Sequence, residues 1–170
     1  MNQNNQKLQH KIFKDLASAL PLISEWKNTG EKIVFTNGCF DLLHAGHVRY
    51  LQAAKLLGRS LVIGLNSDCS VRTIKPQPNG APARPIVPEL QRAEVLAALR
   101  SVDGVVLFSE PTAAQLVEAL QPEIYAKGGD YKIETLPEAS IVHTYGGHVK
   151  LIQIEVPSST SAIIHRILNS

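Results

Sequence analysis

Short, largely apolar runs of the kind found in buried β-strands recur along the chain. Five such runs lie at residues 32–36, 61–65, 105–108, 123–126 and 149–154. The run Leu-Val-Ile-Gly-Leu at 61–65 has no polar side chain, as is typical of a parallel strand with both faces covered. Between the runs, apolar residues follow helical spacing, at 15–26, 46–57, 89–100, 111–120, 137–145 and 158–168. The pattern predicts strands that alternate with helices.

Strands that alternate with helices pair in parallel through right-handed crossovers. We therefore predict an α/β fold, a Rossmann-like three-layer sandwich with a mainly parallel sheet of about five strands. In such open sheets, ligands bind outside the carboxyl ends of the strands. The rule predicts a site at the edge formed by residues 37–47, 66–84, 108–111, 127–131 and 157–161. A proline-rich stretch at 75–88 is expected to form a loop over that site.

Length and composition narrow the class of protein. A chain of 170 residues, 44% of them hydrophobic, fits one domain, which we place at 14–170 after a flexible N-terminal tail at 1–13. A formal net charge of +2 gives no reason to expect a nucleic-acid-binding surface. No apolar run approaches the ~20 residues that span a bilayer, so we expect no membrane partner. Cys39 and Cys69 are too few for a disulfide framework, and we expect free thiols in the cytoplasm.

Candidate chemistry concentrates where the first predicted strand turns into the following helix. Gly38 allows the backbone to approach a ligand, and the free N–H groups of the helix form an anion site. His44 and His47 are three residues apart, so two imidazoles on one helical turn could donate hydrogen bonds to phosphate oxygens. The alternatives are a metal site, for which a third matching ligand is not nearby, and bystander histidines. Neither a Walker lysine motif nor a G-x-G-x-x-G after the first strand is present.

Two segments give the chain a resemblance to a known family. The segment GCFDLLHAGH at 38–47 matches the signature G-x-F-D-x-x-H-x-G-H, so the chain resembles the cytidylyltransferase-like nucleotidyltransferases. The segment KGGDY at 127–131 is similar, within that family, to the adenylyltransferase domain of ADP-heptose synthesis. The resemblance covers about 15–168. It implies transfer of AMP from ATP to D-glycero-β-D-manno-heptose 1-phosphate, a sugar 1-phosphate, with release of pyrophosphate and with Mg²⁺ accompanying ATP.

The resemblance also implies roles for individual residues. Catalysis is expected from His44, His47 and Lys75, and the phosphate of the acceptor is expected to meet Arg84 and Arg92. The residues expected to bind the nucleotide are Asn37, Gly38, Cys39, Phe40, Asp68, Lys127, Gly128, Gly129, Asp130, Ser159 and Thr160.

Several of these residues have an ordinary structural alternative. Lys75 could be a solvated loop lysine, Asp68 a turn aspartate, and Arg92 the partner of a neighbouring carboxylate. Ser159 could simply cap the last helix. For Asp41, a structural cap and a metal-binding role beside the phosphates are both open. The aromatic residues outside the motif are expected to pack in the core.

Two further functions are left open. One is a CTP-dependent cytidylyltransferase that acts on glycerol 3-phosphate or a similar alcohol phosphate, because base choice depends on backbone geometry. The other is a nucleotide-binding module that performs no chemistry. The resemblance implies a separate sugar kinase that acts upstream, since the domain is fused to such a kinase in many organisms, and it is compatible with a homodimer.

Overall fold

A computed structural model describes residues 8–75, 77, 82–129, 131–153 and 159–169. Its strands are β1 (Ile12–Phe13), β2 (Ile33–Gly38), β3 (Ser60–Asn66), β4 (Gly104–Phe108), β5 (Ile124–Gly128) and β6 (His148–Ile152). Its helices are α1 (Leu16–Asn28), α2 (Ala45–Lys55), α3 (Asp68–Ile74), α4 (Glu89–Ala97), α5 (Ala114–Leu120), α6 (Pro137–Thr144) and α7 (Thr160–Leu168), with a 3₁₀ turn at Ile133–Thr135. The strand–helix alternation expected from the sequence is confirmed.

The strands form one parallel sheet of six strands in the order β1-β4-β3-β2-β5-β6. From β2 the chain builds outward through β3 and β4, and it then crosses to the other side of β2 to add β5 and β6. This reversal leaves a crevice between the carboxyl ends of β2 and β5, which is where ligands bind in doubly wound sheets. The predicted Rossmann-like α/β sandwich is therefore confirmed, with one strand more than expected.

The additional strand, β1, lies in the segment that the sequence analysis assigned to a flexible tail. Ile12 and Phe13 pair with Val105 and Val106 at the edge of the sheet, and the Val105 N–H donates to the carbonyl oxygen of Lys11 at 2.8 Å. A strand of two residues has no periodic pattern, so the sequence contained no signal for it. The folded part of the chain begins before residue 14.

Two apolar clusters cover the two faces of the sheet. Helices α2 and α4 pack on one face, for example through Leu51 and Leu96, neither of which is exposed. Helices α1, α5 and α6 pack on the other face, for example through Ile23, Val117 and Val142. Because α2 follows β2 and α6 follows β5, these two helices begin at the same edge of the sheet but in opposite layers.

Helix α3 lies at the carboxyl edge of the sheet, in a segment for which the sequence predicted no helix. Ser67 caps it by accepting a hydrogen bond from the Ser70 N–H at 3.2 Å, and Val71 is the fully buried apolar residue of the helix. The sequence did not predict this helix, because so short a helix shows too little apolar periodicity to be recognised. In the proline-rich stretch, residues 76 and 78–81 lie outside the described part of the chain.

Candidate active site

An open cleft of about 990 Å³ lies at the carboxyl edge of the sheet. It spans the switch point between β2 and β5 and extends to the beginning of α7. Most of the residues that the sequence analysis selected line it: Asn37, Gly38, Cys39, Phe40, Asp41, His44, His47, Lys75, Arg84, Lys127, Gly128, Gly129, Ser159 and Thr160. The structure brings these residues together from segments that are far apart in the chain.

The two motif histidines stand side by side at the beginning of α2. His44 is the N-cap residue of the helix, but its side chain makes no capping hydrogen bond. The rings of His44 and His47 have their centroids 3.9 Å apart, and the Nδ1 atoms of both are buried without a hydrogen-bond partner among the described residues. Two adjacent imidazoles with unused hydrogen-bonding capacity are therefore available to a ligand in the cleft.

Burial sets the charge state of this histidine pair. It lowers the pKa of His44, and together with the charge of its neighbour it lowers the pKa of His47 from 6.5 to about 4. Both rings are thus neutral at pH 7 in the ligand-free protein. Each can then offer one N–H donor, and a bound polyanion would favour the charged form.

The turn between β2 and α2 is tightly built. Phe40 has a left-handed backbone with a φ of 44°, and its ring lies 5.3 Å from that of His47. A Cβ at Gly38 would lie 3.1 Å from the Phe40 ring, so glycine keeps this contact free of crowding. Burial raises the pKa of the Cys39 thiol, which makes it a poor nucleophile at neutral pH.

Asp41 is an anchor for the segment that precedes α4. Its side chain is fully buried, and its Oδ1 accepts hydrogen bonds from the Ile86 N–H at 2.8 Å and the Val87 N–H at 3.0 Å. Its Oδ2 forms an ion pair with Arg84. Both carboxylate oxygens thus bind protein donors, which corresponds to the capping alternative rather than to a metal ligand.

Arg92 is buried and does not line the cleft, so the structure gives no support to its predicted role as a phosphate ligand. The residue is 1% exposed, and its guanidinium donates to the carbonyl oxygens of Val87 and Cys39. The same group forms an ion pair with Asp68, with 2.7 Å between Nη2 and Oδ1. Asp68 is likewise absent from the lining of the cleft. The alternative of a structural pair with a neighbouring carboxylate describes both residues.

On the β5 side, the cleft is lined by Lys127, which the sequence predicted, and by Tyr131 and Glu138, which it did not. Tyr125 donates a hydrogen bond to Asn37 Oδ1 at 2.8 Å, and Lys127 Nζ donates to the Asn37 carbonyl oxygen at 3.3 Å. Tyr131 lines the cleft and is 51% exposed, so the expectation that such aromatic residues pack does not hold for it. Glu138 lines the same side and is 3% exposed. No local motif marked Glu138 as a site residue, whereas Tyr131 ends the KGGDY segment without having been selected.

Asp130, which the sequence analysis also selected for nucleotide binding, lies outside the described residues. Tyr50 and Asn66 are two further lining residues that were not selected. The Tyr50 hydroxyl lies 2.6 Å from Thr36 Oγ1, and the Asn66 amide donates to Ser70 Oγ at 2.9 Å. Both side chains act within the protein, where they hold the ends of β2 and β3 in place.

The beginning of α7 closes the cleft on another side. Ser159 caps this helix by accepting the Ala162 N–H at 3.1 Å, and Thr160 Oγ1 donates to the Leu42 carbonyl oxygen at 3.2 Å. These contacts tie the helix to the turn after β2. The capping alternative for Ser159 is observed. The first turn of a helix has further backbone N–H groups that can donate to an anion.

Lys75 ends α3 and is an exposed lining residue of the cleft. Within the described part of the chain, its ammonium group takes part in no ion pair. It differs in this respect from Arg84, which is held by Asp41. A cation without a partner at the mouth of an open cleft can move toward an anionic ligand.

The described residues contain neither a cluster of metal ligands nor a helix suited to a membrane. No group of three or more His, Cys, Asp or Glu side chains there is arranged to hold a metal ion. None of the described helices combines the length and the apolar character needed to cross a lipid bilayer.

Comparison with known proteins agrees with this geometry. Residues 35–167 match the family model described as cytidylyltransferase-like. The chain is 50% identical over 151 residues to the bifunctional protein HldE of Magnetococcus marinus, a match that covers 89% of this chain and 30% of that protein. It is also 50% identical over 143 residues to the bifunctional protein HldE of Syntrophotalea carbinolica, covering 84% of this chain and 28% of that protein. The chain thus spans under a third of the length of these relatives.

A solved structure is similar as well. The lipopolysaccharide core biosynthesis protein of Thermoplasma volcanium superimposes with a TM-score of 0.59 at 31% sequence identity. The match covers 76% of this chain and 100% of that one. The similarity therefore extends over the full length of that protein and over about three quarters of this chain.

Proposed function

Since the chain belongs to the cytidylyltransferase-like family of nucleotidyltransferases, we propose that it transfers AMP from ATP to D-glycero-β-D-manno-heptose 1-phosphate. The products are ADP-heptose and pyrophosphate. The unit that carries this activity is the single domain that follows the N-terminal segment. A separate sugar kinase supplies the acceptor.

The observation that carries the proposal is the pair formed by His44 and His47. Their rings are 3.9 Å apart at the beginning of a helix, in a cleft, with buried nitrogens that have no partner among the described residues. Imidazole N–H groups and helix N–H groups at one point match the oxygens of a triphosphate. The arrangement stabilises negative charge where it develops in phosphoryl chemistry.

The reaction requires positioning rather than a protein nucleophile. An oxygen of the sugar 1-phosphate attacks the α-phosphorus of ATP in line with the leaving group. The new O–P bond forms as the bond between the α-phosphorus and the bridging oxygen breaks, and pyrophosphate leaves with the bonding electrons. His44, His47 and Lys75 neutralise charge on the phosphates, and Arg84 lies where it can orient the acceptor phosphate. The phosphate nucleophile is already ionised at neutral pH, so no general base is needed.

Mg²⁺ enters this scheme as part of the substrate MgATP. The described residues offer no cluster of ligands for a resident ion, and Asp41 is bound to protein donors. Mg²⁺ commonly keeps several waters and is held largely by substrate phosphates. When bound, it neutralises charge on the triphosphate.

The choice of ATP and of a heptose phosphate is supported by similarity. The segment KGGDY at 127–131 resembles the adenylyltransferase domain of ADP-heptose synthesis, and the matched HldE proteins are 50% identical to this chain. The similarity to the lipopolysaccharide core biosynthesis protein from Thermoplasma volcanium is a further argument for an activated sugar as the product.

The test is pyrophosphate release with ATP, CTP or GTP, each combined with heptose 1-phosphate or glycerol 3-phosphate in the presence of Mg²⁺. Each active pair is repeated with His47→Ala and with His143→Ala as the matched control, because His143 is exposed on α6. We expect turnover with ATP and heptose 1-phosphate, its loss in His47→Ala, and no change in His143→Ala. Turnover with CTP and glycerol 3-phosphate would keep the mechanism and overturn the substrates. Release from none of the pairs, together with measurable ATP binding, would favour a binding module.

A further inference from the structure

Glu138 is an unusual residue to find in a cleft for phosphates. The cations that line this cleft in the described part of the chain are Lys75, Arg84 and Lys127. Two carboxylates also line the cleft. One of them, Asp41, already accepts hydrogen bonds from the segment before α4. Glu138 is the other, and among the described residues no cation lies within ion-pair distance of it.

The Glu138 carboxylate interacts with Ala113, Tyr125 and, at longer range, the Lys127 ammonium group. Its Oε1 accepts a hydrogen bond from the Ala113 N–H at 2.9 Å, which helps to begin α5. The Tyr125 hydroxyl also interacts with this carboxylate, but it has a single proton, which it donates to Asn37 Oδ1. A carboxylate has about four lone-pair sites, so Glu138 retains the capacity to accept further hydrogen bonds. An ionised carboxylate can only accept hydrogen bonds, so the ligand group that meets it must be a donor.

The position of Glu138 indicates which part of a ligand it meets. The histidine pair begins α2, in the helical layer on one face of the sheet, whereas Glu138 lies in the first turn of α6, in the opposite layer. A ligand with its phosphates at the histidines must therefore extend across the strand ends to reach Glu138. The ligand group that meets Glu138 should not be a phosphate, because a phosphate and the buried Glu138 carboxylate are both anions and would repel each other.

The surroundings of Glu138 fit a sugar. Thr112 and Tyr131 line the same side of the cleft, and Tyr131 offers an exposed ring beside the Lys127 ammonium, 5.5 Å from its centroid. Aromatic faces, hydroxyls and a carboxylate acceptor are the groups that bind the apolar face and the hydroxyls of a carbohydrate. In dinucleotide-binding folds, an acidic residue takes ribose hydroxyls in the same way.

We infer that Glu138 is a specificity-determining residue that accepts hydrogen bonds from hydroxyl groups of a sugar bound on the β5 side of the cleft. The sugar is either the ribose of the nucleotide or the acceptor sugar, which share this chemistry. The inference rests on the proposed function for its choice of ligands. The possibility that the sugar is the ribose can be tested by measuring nucleotide affinity, without any turnover.

The experiment compares wild type with Glu138→Gln. Glutamine keeps a carbonyl oxygen for the Ala113 N–H and replaces the other acceptor by an NH₂ donor, so the start of α5 is preserved. Glu134→Gln is the matched control, since Glu134 is exposed in the neighbouring 3₁₀ turn. Thermal melting checks that both variants fold.

Affinities are measured by calorimetry with Mg²⁺ for two series of ligands. One series is ATP, 2′-deoxy-ATP and 3′-deoxy-ATP. The other is heptose 1-phosphate and analogues that lack one hydroxyl each, in the presence of a non-hydrolysable ATP analogue. A hydrogen bond to a charged group corresponds to about 10- to 100-fold in affinity, so wild type should prefer the intact ligand by that factor in one series. Glu138→Gln should lose most of this preference, and Glu134→Gln should keep it.

The series in which the preference disappears identifies the sugar. Wild type that binds intact and deoxy ligands equally in both series overturns the inference, whether or not the variant folds. A preference that persists unchanged in Glu138→Gln also overturns it. Failure of the proposed function has a different signature, because heptose 1-phosphate would then support no turnover while the nucleotide series still reports on Glu138.

Discussion

Replacement of Arg92 by methionine separates the structural role observed for this residue from the predicted phosphate-binding role. The side chain is not exposed, and it donates to the carbonyl oxygens of Val87 and Cys39 and to Asp68. Methionine fills much of the same volume but leaves all three acceptors without a donor. We therefore expect loss of folding stability rather than selective loss of acceptor binding.

The size of the loss follows from these partners. Each neutral carbonyl acceptor that loses its bond contributes about 1 kcal/mol. Breaking a fully buried ion pair costs about 3–5 kcal/mol, but Asp68 retains 24% of its side-chain exposure and regains water, so its share is closer to ~1 kcal/mol. The free energy of unfolding should fall by about 3 kcal/mol in total.

Urea unfolding measures this change. Arg100→Met is the matched control, because Arg100 is exposed just beyond α4 and should shift stability by less than about 0.5 kcal/mol. Arg92→Lys should be intermediate, because one ammonium group cannot replace the planar guanidinium at three separate acceptors. If Arg92→Met were as stable as wild type and its KM for the acceptor rose tenfold or more, the interpretation of Arg92 as a buried structural residue would be refuted.

Three other perturbations have defined outcomes. Burial, and then the charge of His44, lower the pKa of His47 to about 4. Below about pH 6.5 the unfolded chain therefore binds more protons than the folded protein, and thermal melts should show the ligand-free protein losing stability as pH falls from about 6.5 toward 4. An equal dependence on pH in His47→Gln would contradict this. Lys75→Ala should lower kcat by about 10²-fold at an unchanged melting temperature, because the residue is exposed; a normal kcat in pyrophosphate release would exclude it from the reaction. Gly58→Ala would place a Cβ 2.5 Å from the Lys32 carbonyl oxygen. The free energy of unfolding measured in urea should fall by about 1–3 kcal/mol, and an unchanged midpoint would show that the backbone moves to relieve the contact.

The sequence was sufficient for the sheet and for the centre of the site because both have local signals. Apolar runs at regular intervals predicted the long strands, and the parallel topology followed from their alternation with helices. The spacing of His44 and His47 predicted that the two rings would face the same way, and their centroids are 3.9 Å apart. Elements without a repeating pattern, such as β1 and α3, were not predicted.

Charged residues were harder to assign because residue type does not specify burial. Arg84 and Arg92 lie in the same stretch of sequence, yet one lines the cleft and the other is enclosed beneath it. The difference arises from the acceptors that each guanidinium meets after folding. Arg84 pairs with the Asp41 carboxylate, whereas Arg92 donates to carbonyl oxygens that include the one of the distant residue Cys39. Glu138 shows the converse: an ordinary residue near a helix start is brought to the site by the packing of α6.

The ionisable residues near the motif divide into two groups with different partners. Asp41 and Arg92 join the turn after β2 to the segment before α4 from both sides, since Asp41 accepts from the Val87 N–H and Arg92 donates to the Val87 carbonyl oxygen. Their partners are all protein atoms, so they can fix the turn but have little capacity for a ligand. His44 and Lys75 have no such partners in the described residues and line the open side of the same turn. Preorganised donors stabilise a transition state because they need not reorient as charge develops. In the proposed reaction, the buried ion pairs act indirectly, by holding the turn that carries His44.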